Sequence, residues 1–303
     1  MNSVEISTFI SCIFGIIGSL LIIIIFLIFK EQKLFYRKLI LVLSFYDLLQ
    51  SISYILPGKN YHILCHVQMY AIAITGITSQ YWCAAISFVS YLKVVKNKTD
   101  QYLQKLYQLL HISMLILDVL FILIVTFFGT PTKKETYWCW CSEMGLTMMM
   151  YTFYWIFMVI CLVFYLLTII KLRAVFKIIS QIQIQISKEK QLAQFKIQLR
   201  MSLIPLIYII LLIPPTIKRV NEEIHPNSKS SIIINILQAI ATTSHGFWDF
   251  LIFIVFVKEM RKKIRNCSSI SNQNRDQKYS SIQDFETSNQ FNEFHKLINS
   301  TIN

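Results

Sequence analysis

Apolar residues along the chain fall into long blocks separated by short polar or basic stretches. Seven blocks are long enough, or nearly so, to cross a hydrocarbon layer of about 30 Å as a helix. They are Ile6–Phe29, Leu39–Leu56, His66–Leu92, Leu106–Phe128, Leu146–Ile170, Ile197–Ile217 and Ser231–Val257. The second ends at the turn signal Pro57-Gly58. The first is not a secretion signal by pattern: no Lys or Arg precedes Lys30, no small-residue cleavage site is present, and the run outlasts a signal's apolar region. Between Lys171 and Lys196 there is neither Pro nor Gly, which predicts that the fifth and sixth helices extend beyond the membrane. Ile178–Ile186 contains an alternating Gln-Ile stretch, a strand-like period, but between two helices a helical or loose segment is expected. The pattern predicts an all-α membrane protein, a seven-transmembrane helix bundle. Residues 1–5 form a short extracellular N-terminus and residues 6–257 the membrane domain. Residues 258–267 (KEMRKKIRNC) read as a basic juxtamembrane helix on anionic lipid, with Cys267 a candidate lipidation site. Residues 268–303, polar and rich in Ser, Asn and Gln, read as a disordered cytoplasmic tail.

Charge fixes the expected orientation. The chain of 303 residues is 55% hydrophobic and 15% charged, with net charge +13 and mean hydropathy +0.53. In a soluble protein that basicity would point to nucleic acid. Here twenty Lys and Arg flank one set of alternate span ends and only six the other. The positive-inside rule then puts the N-terminus outside and the C-terminus in the cytoplasm, as expected of a multi-pass plasma-membrane protein with the bilayer as partner and no nucleic acid. No repeat with inverted halves is visible, which weakens a transporter reading.

Five ionisable residues fall within the spans: Asp47, His111, Asp118, His245 and Asp249. Lipid makes such groups costly, so each is a functional hypothesis. Asp47 comes nine residues after Lys38 and Asp249 precedes Lys258 by nine, so both lie about 13 Å from the inner boundary at about 1.5 Å per residue. If spans two and seven touch, the two acids share a proton or a cation, because neighbouring like charges do not both ionise cheaply. His245 is one turn from Asp249, completing a candidate polar switch of Asp47, His245 and Asp249. The plainer expectation gives each acid its own hydroxyl, from Ser44, Ser51 or Ser244, and Asp118 has no evident partner. Of seven cysteines, Cys12, Cys83 and Cys161 read as packing residues. Cys65 lies at the outer mouth of span three and can pair with Cys139 or Cys141 of the next outer loop on an oxidising face.

These motifs together resemble the cyclic-AMP-receptor-like G-protein-coupled receptors. LSFYDLLQSISY in span two is similar to that family's Leu-Ser-x-x-Asp-Leu-Leu pattern. Tyr81-Trp82, Ala85-Ile86, Tyr91 and Val95-Lys96 continue it along span three, and Trp138-Cys139-Trp140 in the second outer loop. Leu203-Ile204-Pro205-Leu206-Ile207 with Arg219 resembles the sixth span, and Ser244-His245-Gly246-Phe247-Trp248 the seventh. The resemblance runs in order from about Leu39 to Val257. It implies a receptor that activates a heterotrimeric G protein, and a disulfide from Cys65 to Cys139. Asp249 is a departure from the family pattern.

Rival classes lack their residues. The inner end of span three reads SYLKVVKNK where rhodopsin-like receptors carry Asp/Glu-Arg-Tyr. Span seven has no Pro for Asn-Pro-x-x-Tyr and no Lys for retinal. The alternative of a seven-span hydrolase with a His/Asp metal site needs about three protein ligands. His62 and His66 lie at the outer mouth, whereas His245 and Asp249 lie nearer the inner side, so the expectation is a receptor, not an enzyme, without metal or cofactor. A small extracellular molecule, anionic and cyclic-nucleotide-like, is expected among Gln68, Met69, Met150, Tyr151, Tyr154, Lys218 and Arg219, Arg being well shaped for phosphate or carboxylate. The G protein is expected to meet Lys93, Lys96, Lys171, Arg173, Lys196 and Arg200. Pro205 and Pro214-Pro215 offer kink points in span six.

Overall fold

In a computed structural model of the chain, residues 3–28, 35–56, 62–132, 138–141, 144–181, 203–225 and 231–253 are described. They form α1 (Ser3–Ile28), α2 (Phe35–Ile55), α3 (His62–Val94), α4 (Asp100–Phe128), β1 (Pro131–Thr132), β2 (Trp140–Cys141), α5 (Met144–Gln181), α6 (Leu203–Ile224) and α7 (Ile232–Thr243). Helix resumes after Ser244 over residues 245–253, so the seventh span is split in two. Among the described residues six helices are long and apolar enough to cross a membrane, and the split seventh completes the bundle. The chain is a multi-pass membrane protein with a seven-helix fold.

Several helices outrun their apolar blocks. α1 starts at Ser3, so residues 3–5, expected as an exposed segment, are its first turn. α2 and α4 begin at Phe35 and Asp100, within the basic flanks, and α5 continues to Gln181. Apolarity marks where lipid or core lies, whereas the backbone ladder continues through any polar residue that tolerates helix. The turn from α3 to α4 places Asn97 at φ 51°, a left-handed conformation that Asn accepts readily. Thr99 caps α4 by accepting from the Tyr102 N–H. Lys196, Arg200, Cys267, the basic segment 258–267 and the tail 268–303 lie outside the described residues.

α3 is the axis of the bundle. Its membrane window is 83% buried, against 22% for α4 and 17% for α5, and it packs on α2, α4, α5 and α6. Trp82, Ile86 and Val89 of α3 close against Leu39 and Leu43 of α2, Met114 of α4 and Tyr208 of α6. α4 and α5 turn Leu115, Val119, Leu123, Val159, Val163 and Leu166 outward, which suits lipid-facing surfaces.

The split in the seventh span has a packing reason. A Cβ on Gly246 would meet the Gly15 carbonyl oxygen at 2.7 Å as well as the Ser19 hydroxyl, and one on Gly18 would meet Phe247 Cα at 2.7 Å. α1 and the seventh span thus touch backbone to backbone, the small-residue route to close helix contact in lipid. The carbonyls released at the break find partners on α2. The Ser51 hydroxyl donates to Thr243 O at 3.2 Å, and the Gln50 amide donates to Thr242 O at 3.4 Å. Irregular backbone within a membrane bundle persists where neighbouring helices satisfy it in this way.

Candidate functional site

One end of the bundle is closed by a short ribbon. β1 and β2 pair antiparallel, Pro131 opposite Cys141 and Thr132 opposite Trp140. A disulfide joins Cys65 at the start of α3 to Cys139 beside β2, and Cys141 is buried outside that bond. Gln68, one turn along α3 from Cys65, fastens the same segment. Its carbonyl oxygen accepts from the Cys139 N–H at 2.9 Å, and its amide nitrogen donates to Ser53 O and Leu56 O, both at 3.0 Å. Trp138 and Trp140 are thereby held down over the bundle, Trp138 edge-on to Tyr54 and the Trp140 indole donating to Thr147.

Beneath this ribbon is a cleft containing about 520 Å³ of empty space, part of it open to solvent. Its walls come from α2 (Gln50, Tyr54), α3 (Gly76, Gln80), α5 (Tyr151, Tyr154), α6 (Arg219) and the seventh span (Gln238, Thr242, His245), with Trp138 and Trp140 above. An aromatic-rich concavity with a few convergent polar groups is the usual form of a small-molecule site. Three of the residues expected to bind ligand, Tyr151, Tyr154 and Arg219, line it. The other four do not. Gln68 spends its amide on backbone groups, and Met69 and Met150 are core residues 1% exposed. Lys218 is buried 3.6 Å from Glu222. Arg219 also pairs with Glu222, at 2.6 Å, and reaches the Tyr151 hydroxyl.

His245 connects this cleft to a second polar group. Its ring stacks on Tyr208 of α6, centroids 4.7 Å apart and planes 18° apart. The Tyr208 hydroxyl lies 2.9 Å from both carboxylate oxygens of Asp47 and 3.4 Å from Asp249. The Ser79 hydroxyl donates to Asp47 at 2.9 Å, and the carboxyls of Asp47 and Asp249 are within hydrogen-bonding reach of each other. Equal depth therefore does translate into contact. The serine hydroxyls expected as partners do not serve: Ser44 Oγ has no hydrogen bond, and Ser51 and Ser244 bond elsewhere. Asp118 does have a partner, accepting from Thr78 of α3 at 2.9 Å. His111 packs against Trp82 and Tyr107.

At the opposite end, Lys93 is ion-paired with Asp100 across the α3–α4 turn. Lys96 and Arg173 are exposed, and Lys171 is half-buried. Among the described residues no three His, Cys, Asp or Glu side chains converge as metal ligands, so the geometry adds nothing to the hydrolase alternative.

Fold and site together define a seven-helix membrane bundle with a cleft under a disulfide-pinned ribbon. The fold is that of squid rhodopsin, with a TM-score of 0.70 at 17% identity over 87% of this chain and 84% of the other. A stretch of 130 residues, 43% of this chain, is 28% identical to the Arabidopsis thaliana protein named G-protein coupled receptor 1. That stretch spans 39% of the Arabidopsis protein's length. No family model matches the chain.

Proposed function

We propose that the protein is a G-protein-coupled receptor of the plasma membrane, of the cyclic-AMP-receptor-like class, with its ribbon-covered end outside. The observation that carries this reading is a continuous path from cleft to helix packing. His245 borders the cleft and stacks on Tyr208, and Tyr208 binds the acid pair that joins α2 to the seventh span. A ligand that moves His245 therefore acts on the contact holding α6 against its neighbours. A molecule with no differential affinity for two bundle states transmits nothing, and here the differential contact has a named route. The name of the Arabidopsis relative, the order of the family-like motifs and the oxidised Cys65–Cys139 pair at the cleft end agree with it.

In this reading the acid pair is the polar switch. Two carboxyls within reach of one another hold a single shared proton or one monovalent cation, and α6 leaves the pair when it swings outward. Pro214 and Pro215, inside α6 and toward the cleft end, remove ladder hydrogen bonds there. The swing opens the opposite end, where Lys93, Lys96, Lys171 and Arg173, with Lys196 and Arg200, meet the G protein. Arg219 gives one nitrogen to Glu222, while its buried Nε has no hydrogen-bond partner. A donor is left over at the cleft wall, which suits a ligand carrying an acceptor or a single acidic group, cyclic nucleotides included.

The test is nucleotide exchange on purified receptor and G protein with a small-molecule panel containing cyclic nucleotides. Ligand-dependent exchange that Arg219→Glu abolishes, with surface expression retained, is expected. Exchange indifferent to every ligand and to that reversal would reject the receptor reading.

A further inference from the structure

Among the described residues, four side chains bordering the cleft besides Arg219 carry polar atoms with no hydrogen-bond partner in the protein. They are the amide oxygens of Gln50, Gln80 and Gln238 and Nδ1 of His245. These residues are 6%, 4%, 2% and 7% exposed. They come from α2, α3 and both sides of the break in the seventh span, and they converge on one space. Elsewhere in the described bundle buried polar groups are mostly paired, as they should be where water is excluded. Isolated amides in a span are otherwise used to join helices. Gln68 does that, while Gln50, which lines the cleft, commits only its amide nitrogen, to Thr242 O, and its oxygen has no partner.

Charge narrows the complement further. Among the described residues no Asp or Glu lines the cleft. An alkylammonium ligand would be desolvated there without a counter-charge, a strongly unfavourable transfer. Uncharged N–H donors meet amide oxygens without that cost, and an amino group carries two donors where a hydroxyl carries one. The rings of Tyr54, Trp138, Trp140, Tyr151 and Tyr154 surround the same space and favour a flat partner.

Resting on the receptor reading, we infer that the cleft takes a small molecule with a planar, uncharged part that bears several amino or amide donors, held by Gln50, Gln80, Gln238 and His245. Any acidic or accepting substituent points to Arg219. Anchoring by neutral donors, rather than by charge, then decides which molecules enter.

Binding to the purified full chain in nanodiscs, without G protein, separates this inference from the receptor reading. The probes are melamine (flat, uncharged, three amino groups), its trimethyl analogue of the same shape without donors, and benzylammonium. Melamine is expected to bind at least about tenfold more tightly than the trimethyl analogue, the ratio that one satisfied acceptor supplies, with benzylammonium weakest. Gln80→Leu with Gln238→Leu should narrow the ratio between the two triazines. If that protein does not fold, Gln238→Glu, which keeps the size and adds a charge, should instead raise benzylammonium binding. Equal binding of the triazines to the parent protein, water alone in the cleft with no melamine binding, or a ratio unmoved by the substitutions would each overturn the inference. Melamine binding alongside exchange that is indifferent to every ligand and to Arg219→Glu would leave it standing while removing the receptor reading.

Discussion

Replacing Tyr208 by Phe removes one oxygen atom from the centre of the bundle and little else. The ring stays, and with it the stack on His245 at 4.7 Å. What is lost is the hydroxyl bonded to Asp47 at 2.9 Å and, more weakly, to Asp249 at 3.4 Å. A hydrogen bond to an ionised acceptor contributes about 1.5–3 kcal/mol. Asp47 keeps Ser79 as a donor, so the aspartate is not stranded and the loss belongs to the contact between α6 and the pair. At about 1.4 kcal/mol per tenfold change, the equilibrium toward α6-outward forms should move roughly 10- to 150-fold. An open state populated at about 1% would rise to somewhere between about a tenth and about three-fifths of the molecules. The assay is basal nucleotide exchange by purified receptor and G protein, with the melting temperature of the receptor measured alongside. Raised basal exchange with a modest drop in melting temperature is expected. Basal exchange within about twofold of the parent, with ligand potency unchanged, would show that Tyr208 does not latch α6 and would break the path from cleft to helix.

Gly246→Ala puts a methyl group against the Gly15 carbonyl and the Ser19 side chain; a loss of about 1–3 kcal/mol, typical of overpacking, should appear as a lower melting temperature, and an unchanged one would refute the close approach. Gln68→Leu removes three hydrogen bonds to Cys139, Ser53 and Leu56; at about 1 kcal/mol each this should approach the cost of losing the disulfide, while Cys65→Ser with Cys139→Ser should lower stability by about 2–5 kcal/mol, both read by thermal unfolding. Gln80→Leu alone, with no ligand added, should leave stability unchanged or raise it by about 1–3 kcal/mol, because a buried acceptor lacking a partner is removed; a clear loss would mean that the amide is structurally engaged. Epitope tags on the two ends, probed from outside intact cells, should find the amino end reachable and the carboxyl end not.

How much of the molecule is legible in the sequence depends on what apolarity encodes. Seven blocks mark seven spans because length and apolarity are the two quantities a bilayer selects. Asp47 and Asp249 can be placed at one depth because Lys38 and Lys258 mark the same boundary, and depth along a helix is a matter of counting. Rotation about the helix axis is not. A lipid-facing residue and a core-facing residue are both apolar, so a span that is hydrophobic all round carries little phase information. Met69 and Met150, expected in the cleft, lie in the core, while Tyr54 and Gly76 border the cleft without a sequence signal. Tyr208 escapes notice for the same reason, since one Tyr in LIYIILL reads as packing. Gln50, Gln80 and Gln238 are visible as amides within apolar spans, a real signal. What hides their role is that the amide which ties helices together and the amide which awaits a ligand have the same sequence signature.

The break at Ser244 brings these elements to one place. An unbroken seventh helix would keep the Thr242 and Thr243 carbonyls in its own ladder, leaving Gln50 and Ser51 of α2 without those acceptors. It would also lose the local approach of Gly246 to α1. Because the helix stops and resumes, Ser244 takes the bonds of both halves. Its N–H donates to Ile240 O, its carbonyl accepts from Phe247 and Trp248, and its hydroxyl accepts from the Trp248 indole. The break is thus satisfied within the protein, which is the condition for irregular backbone in a bilayer. It also re-aims the second half of the span: His245 turns to Tyr208 and the cleft, and Asp249, one turn on, meets Asp47. Asp249, where the sequence departs from the receptor pattern it resembles, therefore sits on the re-aimed half. A second acid there converts a buried carboxylate on α2 into a pair; in the proposed receptor the proton or cation it shares would follow how the two halves of the seventh span are set.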